Sequence, residues 1–364
     1  MLALAFGLTG LAGDLDEIRT TQQKLIAARD PDKPPRDEVP MEAVALVKRQ
    51  LLHWIEARLK DLGPGVSPAE LTKILEEDLK KAILRSPHGD DSDLLGELDL
   101  AFTRPKGAPT WLQLNTDVGI QCGVDRSFYL YQWSDNRWKR RFAMQANDDS
   151  LDHYDPKQAV ELQVSLPDSR GARLVLATGW PPACISVWHT LYIQLFRLDS
   201  AQKLLLDERP LANLGQEGPA YSTRLEPNGA LVEFYGSSID AGLLIRKHIV
   251  HYLADGDKAK RVEPIALTPT GFVEEWLTRP WTEIAPWSEP QLAEWHQKLH
   301  KDYVSGEYDT LRRCAEAGQW QVSINFSDDQ NTYFSVLDGG DKRFRMLNVS
   351  EKPRPDCSGP NELQ

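Results

Sequence analysis

The stretch Val160-Glu-Leu-Gln-Val-Ser-Leu-Pro-Asp-Ser-Arg-Gly-Ala-Arg-Leu-Val-Leu-Ala-Thr178 carries the period that decides the fold. Val160, Leu162, Val164 and Leu166 alternate with polar residues, as a half-buried strand requires. Pro167-Asp-Ser-Arg-Gly171 then reads as a turn and Ala172–Thr178 as a second strand, while the third strand of the block is the one that is apolar on both faces. Leu191-Tyr-Ile-Gln-Leu-Phe196 and the polar turn Asp199-Ser-Ala-Gln202 add a hairpin, so residues 160–208 predict four antiparallel strands. The pattern returns about sixty residues further on. Tyr221–Leu225, the turn Glu226-Pro-Asn-Gly229, Ala230–Tyr235 and a hairpin from His248-Ile-Val-His-Tyr-Leu253 through Ala254-Asp-Gly-Asp257 make the second block.

Residues 111–144 read as a compressed third block, with Phe128–Trp133 and the turn Ser134–Arg137. Residues 319–349 supply three strands of a fourth, with Thr332–Leu337 and the turn Asp338–Asp341. Four-stranded antiparallel repeats with a doubly apolar strand resemble a β-propeller in repeat form, over roughly 240 residues. The resemblance implies blades packed between neighbours and no particular activity. The chain carries no Trp-Asp repeat signature, no kelch di-glycine pattern and no Asp-box, and a twisted β-sandwich is the rival fold. Residues 266–318 interrupt the repeats with helices over Pro269–Leu277 and, after Ser288, over Glu289–Tyr303. The run Ala266-Leu-Thr-Pro-Thr-Gly-Phe-Val-Glu-Glu-Trp-Leu277 is similar to bacterial exported proteins of no assigned activity.

Upstream the period is helical. Val44, Val47, Leu51, Leu52, Ile55, Leu59 and Leu62 form one apolar stripe. Ser67-Pro-Ala-Glu70 is a capping box with Pro at the first helical position, opening a helix through Leu71, Ile74, Leu75, Leu79 and Ile83. A weaker helix holds Leu15, Ile18, Leu25 and Ile26. These predict a helical unit over residues 14–95, a propeller-like domain over 96–350 and a polar tail over 351–364. The apolar start Leu2-Ala-Leu-Ala-Phe-Gly-Leu-Thr-Gly-Leu-Ala12 has the length and the small-residue ending of a signal segment over residues 1–13. It lacks a basic flank, and the alternative is a short buried helix start.

The 364 residues carry a net charge of −12. That sign repels phosphate backbones and excludes nucleic acid as the main partner. No run of eighteen apolar residues exists, so no transmembrane segment is expected. Cys122, Cys184, Cys314 and Cys357 include no Cys-x-x-Cys pair. Four cysteines permit three pairings, and the favoured one joins Cys122 to Cys184 and Cys314 to Cys357 as the sequence-nearest pairs. A thiol in the tail Pro353-Arg-Pro-Asp-Cys-Ser-Gly-Pro360 has no core of its own, which favours a staple to the body over a free thiol.

No Gly-x-Ser-x-Gly elbow, phosphate loop, dinucleotide fingerprint or His-Glu-x-x-His motif is present, and no cofactor is implied. His296 and His300 stand one helical turn apart, the spacing of a zinc helix, but Gln297 replaces the catalytic glutamate. The neighbouring stripe Leu292, Trp295, Leu299 and Tyr303 favours half-buried packing histidines over a metal site. His248 and His251 point to opposite faces of a strand, which argues against a shared site. Asp148, Asp149, Asp152 and Asp155, with His153, match no calcium-loop spacing and read as a solvated acidic loop. Asp255-Gly-Asp257 reads as a hairpin turn.

Eleven tryptophans stand out. Most should pack within the sheets. Trp180, in Thr178-Gly-Trp-Pro-Pro-Ala183, and Trp281 and Trp287, in Arg279-Pro-Trp-Thr-Glu-Ile-Ala-Pro-Trp287, read as loop rings available for ligand binding. The expected function is a non-catalytic, extracytoplasmic binding protein for a protein or glycan partner. The alternative is a carbohydrate-active hydrolase whose paired carboxylates the sequence does not place.

Overall fold

The computed structural model describes residues 6–27, 41–83, 95–105, 108–120, 123–146, 159–182, 186–215, 221–240, 244–300, 305–326 and 331–363. Two compact units divide the chain: residues 1–186 with 191–208, and residues 187–190 with 209–364. The protein is mainly β, with antiparallel sheets and a few helices.

The first unit begins with α1 (Phe6–Ala27), α2 (Met41–Leu59) and α3 (Pro68–Ala82). The capping box forms: Ser67 Oγ accepts a hydrogen bond from the Glu70 amide at 3.2 Å, satisfying one of the donors that a helix start leaves bare. Then follow β1 (Leu98–Thr103), β2 (Trp111–Ile120), β3 (Gly123–Ser134) and β4 (Arg137–Met144), a four-stranded meander. The block expected as compressed is complete, because β1 pairs β2 from Leu98–Val118 to Thr103–Gln113. Asp135 and Asn136 take the left-handed conformation that a two-residue hairpin demands.

The helices have no core of their own. Val47, Leu51, Trp54 and Ile55 of α2 and Leu71, Leu75 and Leu79 of α3 share one cluster with Leu100, Leu112, Leu114 and Tyr131 of the sheet. A buried ion pair, Lys48 Nζ to Asp125 Oδ2 at 3.0 Å, pins α2 to β3. The opposite face of this sheet packs on a second one: β5 (Ala159–Val164), β6 (Arg173–Trp180), β8 (Tyr192–Leu198) and β9 (Gln202–Glu208), where β7 (Trp188–Thr190) belongs to the other unit. Phe142 meets Phe196 edge to face at 5.1 Å, among Leu130, Val175 and Ala177. The block expected over 160–208 is therefore one antiparallel sheet, ordered β5-β6-β8-β9.

The second unit contains β10 (Leu211–Asn213), β11 (Tyr221–Glu226), β12 (Gly229–Ser237), β13 (Ile245–Asp255) and β14 (Lys258–Arg261). Here the expected four strands become six, because β10 extends along the β12 edge beside β11 and carries β7. The Asp255-Gly-Asp257 turn closes β13 onto β14, with Gly256 at φ +57°. α4 (Pro269–Thr278), α5 (Trp281–Ile284) and α6 (Ala293–Leu299) follow. Then β15 (Glu307–Arg313), β16 (Gln319–Asn325), β17 (Asn331–Asp338) and β18 (Phe344–Ser350) form another meander.

The interruption is thus shorter than expected, since β15 belongs to the sheet. The second predicted helix is also shorter: a 3₁₀ turn at Pro290–Leu292 leads into α6, which ends at Leu299. The tail crosses the open edge of β15. Cys314 and Cys357 are disulfide-bonded, Leu311 donates its amide to Asn361 Oδ1 at 2.9 Å, and Glu362 donates its own to Leu311 O at 2.8 Å. A strand edge that would otherwise be bare is covered in this way. Cys122 and Cys184, the acidic loop with Asp148, Asp149, Asp152, His153 and Asp155, and residues 1–5 of the apolar start lie outside the described residues.

Candidate functional site

In the second unit, α4 opens on Thr268, whose hydroxyl accepts from the Gly271 amide at 3.0 Å, with Pro269 behind it. The helix reads Phe272-Val-Glu-Glu-Trp-Leu277 and every one of these residues is buried. Adjacent helix positions diverge by about 100°, so Glu274 and Glu275 leave the axis in different directions, yet both are buried. Both find cations.

Arg246 of β13 spans them. Its Nε donates to Glu274 Oε2, and its Nη2 donates to Glu275 Oε1 at 2.9 Å. Arg261, at the end of β14, donates Nη2 to Glu275 Oε2 at 2.7 Å. Arg279, the C-cap of α4, approaches the same oxygen through Nε at 3.5 Å. Glu283 lies 3.8 Å from both Arg261 and Arg279. Glu274 Oε1 accepts from Ser238 Oγ at 2.6 Å and lies 2.9 Å from the Tyr308 hydroxyl, which also reaches Thr270 O at 3.0 Å. His248 completes the group. Its ring stacks on Phe234 at 5.1 Å, its Nε2 donates to Ser237 O at 2.9 Å, and its Nδ1 faces Glu275 Oε1 at 3.5 Å.

The backbone is adapted to this crowding. A Cβ at Gly236 would stand 2.9 Å from His248 Cδ2 and 3.0 Å from Leu211 O. Glycine there admits the imidazole against β12. A cleft of about 250 Å³ opens beside the cluster, between β10, β12, β13 and α4, lined by Leu211, Phe234, Arg246, His248, Glu274 and Arg279 among others.

The electrostatics follow from the pairing. Burial alone would raise the Glu275 carboxyl. Arg261, the His248 hydrogen bond, Arg246 and Arg279 overcome it and hold the group well below the usual carboxylate range. Burial likewise opposes the charge on Arg246, but Glu274 and Glu275 outweigh it and raise the guanidinium. Burial and the neighbouring Glu274 push the Tyr308 hydroxyl well above its ordinary value. Glu275 is a fixed anion and Tyr308 a fixed neutral donor. A general acid needs a proton that it holds near neutral pH and can release, and neither group offers one.

The sequence-selected residues stand elsewhere. Trp180 is not in a loop: it closes β6, pairs Ala159 and is half-buried. Trp287 is not an available ring either, because it is only 7% exposed and belongs to the core beneath β18. Both placements correct the loop reading. A Gly-Trp-Pro or Ala-Pro-Trp run looks like a loop locally, yet the ring follows whatever apolar surface the fold brings to it. Trp281 is half-buried at the start of α5, 5.4 Å from the His296 ring.

His296 and His300 stack at 4.8 Å and are packing residues. His296 donates through Nε2 to Arg279 O at 3.0 Å, and His300 through Nδ1 to Leu277 O at 2.9 Å. Together they latch α6 onto the bare carbonyls of the last α4 turn. Burial, reinforced by the charge that His300 can carry, lowers the His296 pKa. Among the described residues no group of three His, Cys, Asp or Glu is arranged to hold a metal. His251 bonds Glu263 O and Glu226 Oε2, sharing no partner with His248. Sequence reasoning missed Arg246, Arg261, Glu274, Glu275, Ser238 and Tyr308. The readable signal was a Glu-Glu pair inside an apolar helical run, which no solvent-facing stripe accommodates.

No family model matches the chain, and no curated protein matches it in sequence. Its structure is similar to solved structures at low identity. The protein BT0996, solved as an RGII complex, is 8% identical over 80% of this chain and 97% of its own, with a TM-score of 0.26. A xylan β-1,4-xylosidase from Bacillus halodurans C-125 is 12% identical over 77% of this chain and 52% of its own, with a TM-score of 0.23. A glycosyl hydrolase from Bacteroides ovatus is 7% identical over 72% of this chain and 72% of its own, with a TM-score of 0.22.

Proposed function

We propose that the protein is a non-catalytic, extracytoplasmic binding protein rather than a hydrolase. The observation that carries this reading is the saturation of Glu274 and Glu275. A glycosidase needs one carboxylic acid holding a proton and one carboxylate facing the scissile bond. Here both carboxylates grip the same guanidinium, and Glu275 is held far below the range of an acid. The cluster fixes α4 against β13 and leaves the cleft with rigid donors and a stacked imidazole, which suits recognition.

The export half of the reading is supported by the Cys314–Cys357 bridge, because disulfides persist in oxidising compartments. No helix among the described residues is long and apolar enough to cross a membrane. The successive antiparallel sheets suit a propeller-like array, with a twisted sandwich as the alternative. Of the three tryptophans, half-buried Trp180 and Trp281 keep ring surface for a protein or glycan partner.

Incubation of the purified chain with soluble xylan, β-glucan and polygalacturonate should release no reducing ends. Release that disappears in Glu274→Gln or Glu275→Gln, with the fold intact by circular dichroism, would overturn the reading.

A further inference from the structure

A second and larger cleft, of about 570 Å³, lies in the first unit between the end of α2 and the β3–β4 hairpin. Its volume suits a ligand of two sugar rings. The chain as a whole is strongly acidic, yet this cleft is lined by Lys60, Arg137, Lys139 and Arg140 against one carboxylate, Glu56. Cations gathered in one concavity concentrate an anion there.

Their partners show which of them are uncommitted. Lys139 pairs with Asp135, and Arg140 Nη1 with Glu56 at 3.1 Å. Lys60 and Arg137 are exposed and form no ion pair with a described residue, although the Arg137 charge joins Lys139 in holding the exposed Asp135 carboxyl low. The aromatic wall is fixed. Trp138 donates its indole N–H to Leu62 O at 3.0 Å and meets Trp133 edge to face at 5.3 Å. Tyr131 donates its hydroxyl to Glu56 Oε1 at 3.0 Å, and burial with Glu56 beside it pushes that hydroxyl far up, so it stays neutral.

Glu56 is the informative group. Its Oε1 takes both the Tyr131 and Arg140 bonds, and its Oε2 has no bond to a described residue. A site for inorganic phosphate or sulfate has no use for an acceptor beside its cations. A ligand with an anionic group, free hydroxyls and a flat C–H face uses all three features: cations, carboxylate acceptor and indole wall.

We propose that this cleft binds an acidic sugar, a saccharide that carries a carboxylate beside free hydroxyls. The assignment rests on the binding reading above and names a ligand class for it. The carboxylate meets Arg137 and Lys60, a ring hydroxyl donates to Glu56 Oε2, and the sugar face lies on Trp138.

The test is calorimetric titration of the full chain with digalacturonate, with the neutral disaccharide galactobiose and with sodium sulfate. Digalacturonate should bind, galactobiose and sulfate should not, and affinity should fall between about 50 and 300 mM salt. Lys60→Gln and Arg137→Gln should each weaken binding about fivefold without moving the melting temperature, since both are exposed and form no ion pair with a described residue. Equal binding of galactobiose or of sulfate, no binding of digalacturonate, or an unchanged affinity in a variant carrying both Lys60→Gln and Arg137→Gln would overturn the assignment. Those outcomes leave the non-catalytic reading standing. Cleavage of digalacturonate by the chain would instead overturn that reading.

Discussion

Arg261 donates to Glu275 at 2.7 Å with its guanidinium 2% and the carboxylate 6% exposed, and Glu275 is also held by Arg246 of a different strand. A carboxylate so placed joins β13, β14 and α4 through one side chain. Its removal leaves buried Arg261 with Glu283 alone at 3.8 Å and Arg246 with Glu274 alone.

Glu275→Gln should therefore destabilise the second unit by about 3–5 kcal/mol, the range for breaking one side of a buried pair. Urea unfolding measures it. A loss below about 1 kcal/mol would show that water reaches the cluster and screens it.

Acid should lower stability in two stages. Glu275 has a depressed pKa, so its contribution is complete above the ordinary value of 4.5 and is lost as pH falls through the folded value. His296 is also depressed, with an ordinary value of 6.5, so its buried neutral form stabilises at higher pH and ceases to do so as pH falls below that value. The urea midpoint should decline first below about pH 6.5 and again below about pH 4.5. His296→Phe should remove the upper decline and leave the lower one.

Reduction of Cys314–Cys357, which closes a loop with a sequence separation of 43, should lower stability by about 2–4 kcal/mol. Thermal melting of Cys314→Ala with Cys357→Ala checks this without a reductant. Proteolysis of the double variant should begin in the tail, which then relies on the Asn361, Glu362 and Gly359 contacts on β15. Cleavage that starts elsewhere would mean the bridge does not hold the tail.

Trp287→Ala should cost about 3–5 kcal/mol, because it empties a core shared with Phe272, Trp276 and Met346. Trp281→Ala, at a half-buried position, should cost less. Equal small losses in both melting curves would restore the reading of Trp287 as a loop ring.

The local elements follow from neighbouring residues. Period-two alternation, the Pro167–Gly171 and Asp255–Asp257 turns and the Ser67 cap depend on residues within a few positions of one another, and all of them form. The Cys314–Cys357 staple was legible too, because a cysteine in a polar tail has one sensible use. The apolar stripe beside His296 and His300 placed them at a packing edge but did not reveal their carbonyl partners, Arg279 and Leu277.

Long-range contacts settled the rest. Whether Glu274 and Glu275 are solvated or sealed depends on Arg246 and Arg261, which arrive from other strands 28 and 14 residues away. Burial of Trp287 depends on β18, far along the chain, and the sheet face that completes the helical core depends on β1–β3. Charge pairing and core burial are properties of what the fold brings together, and no spacing within a helix or strand encodes them.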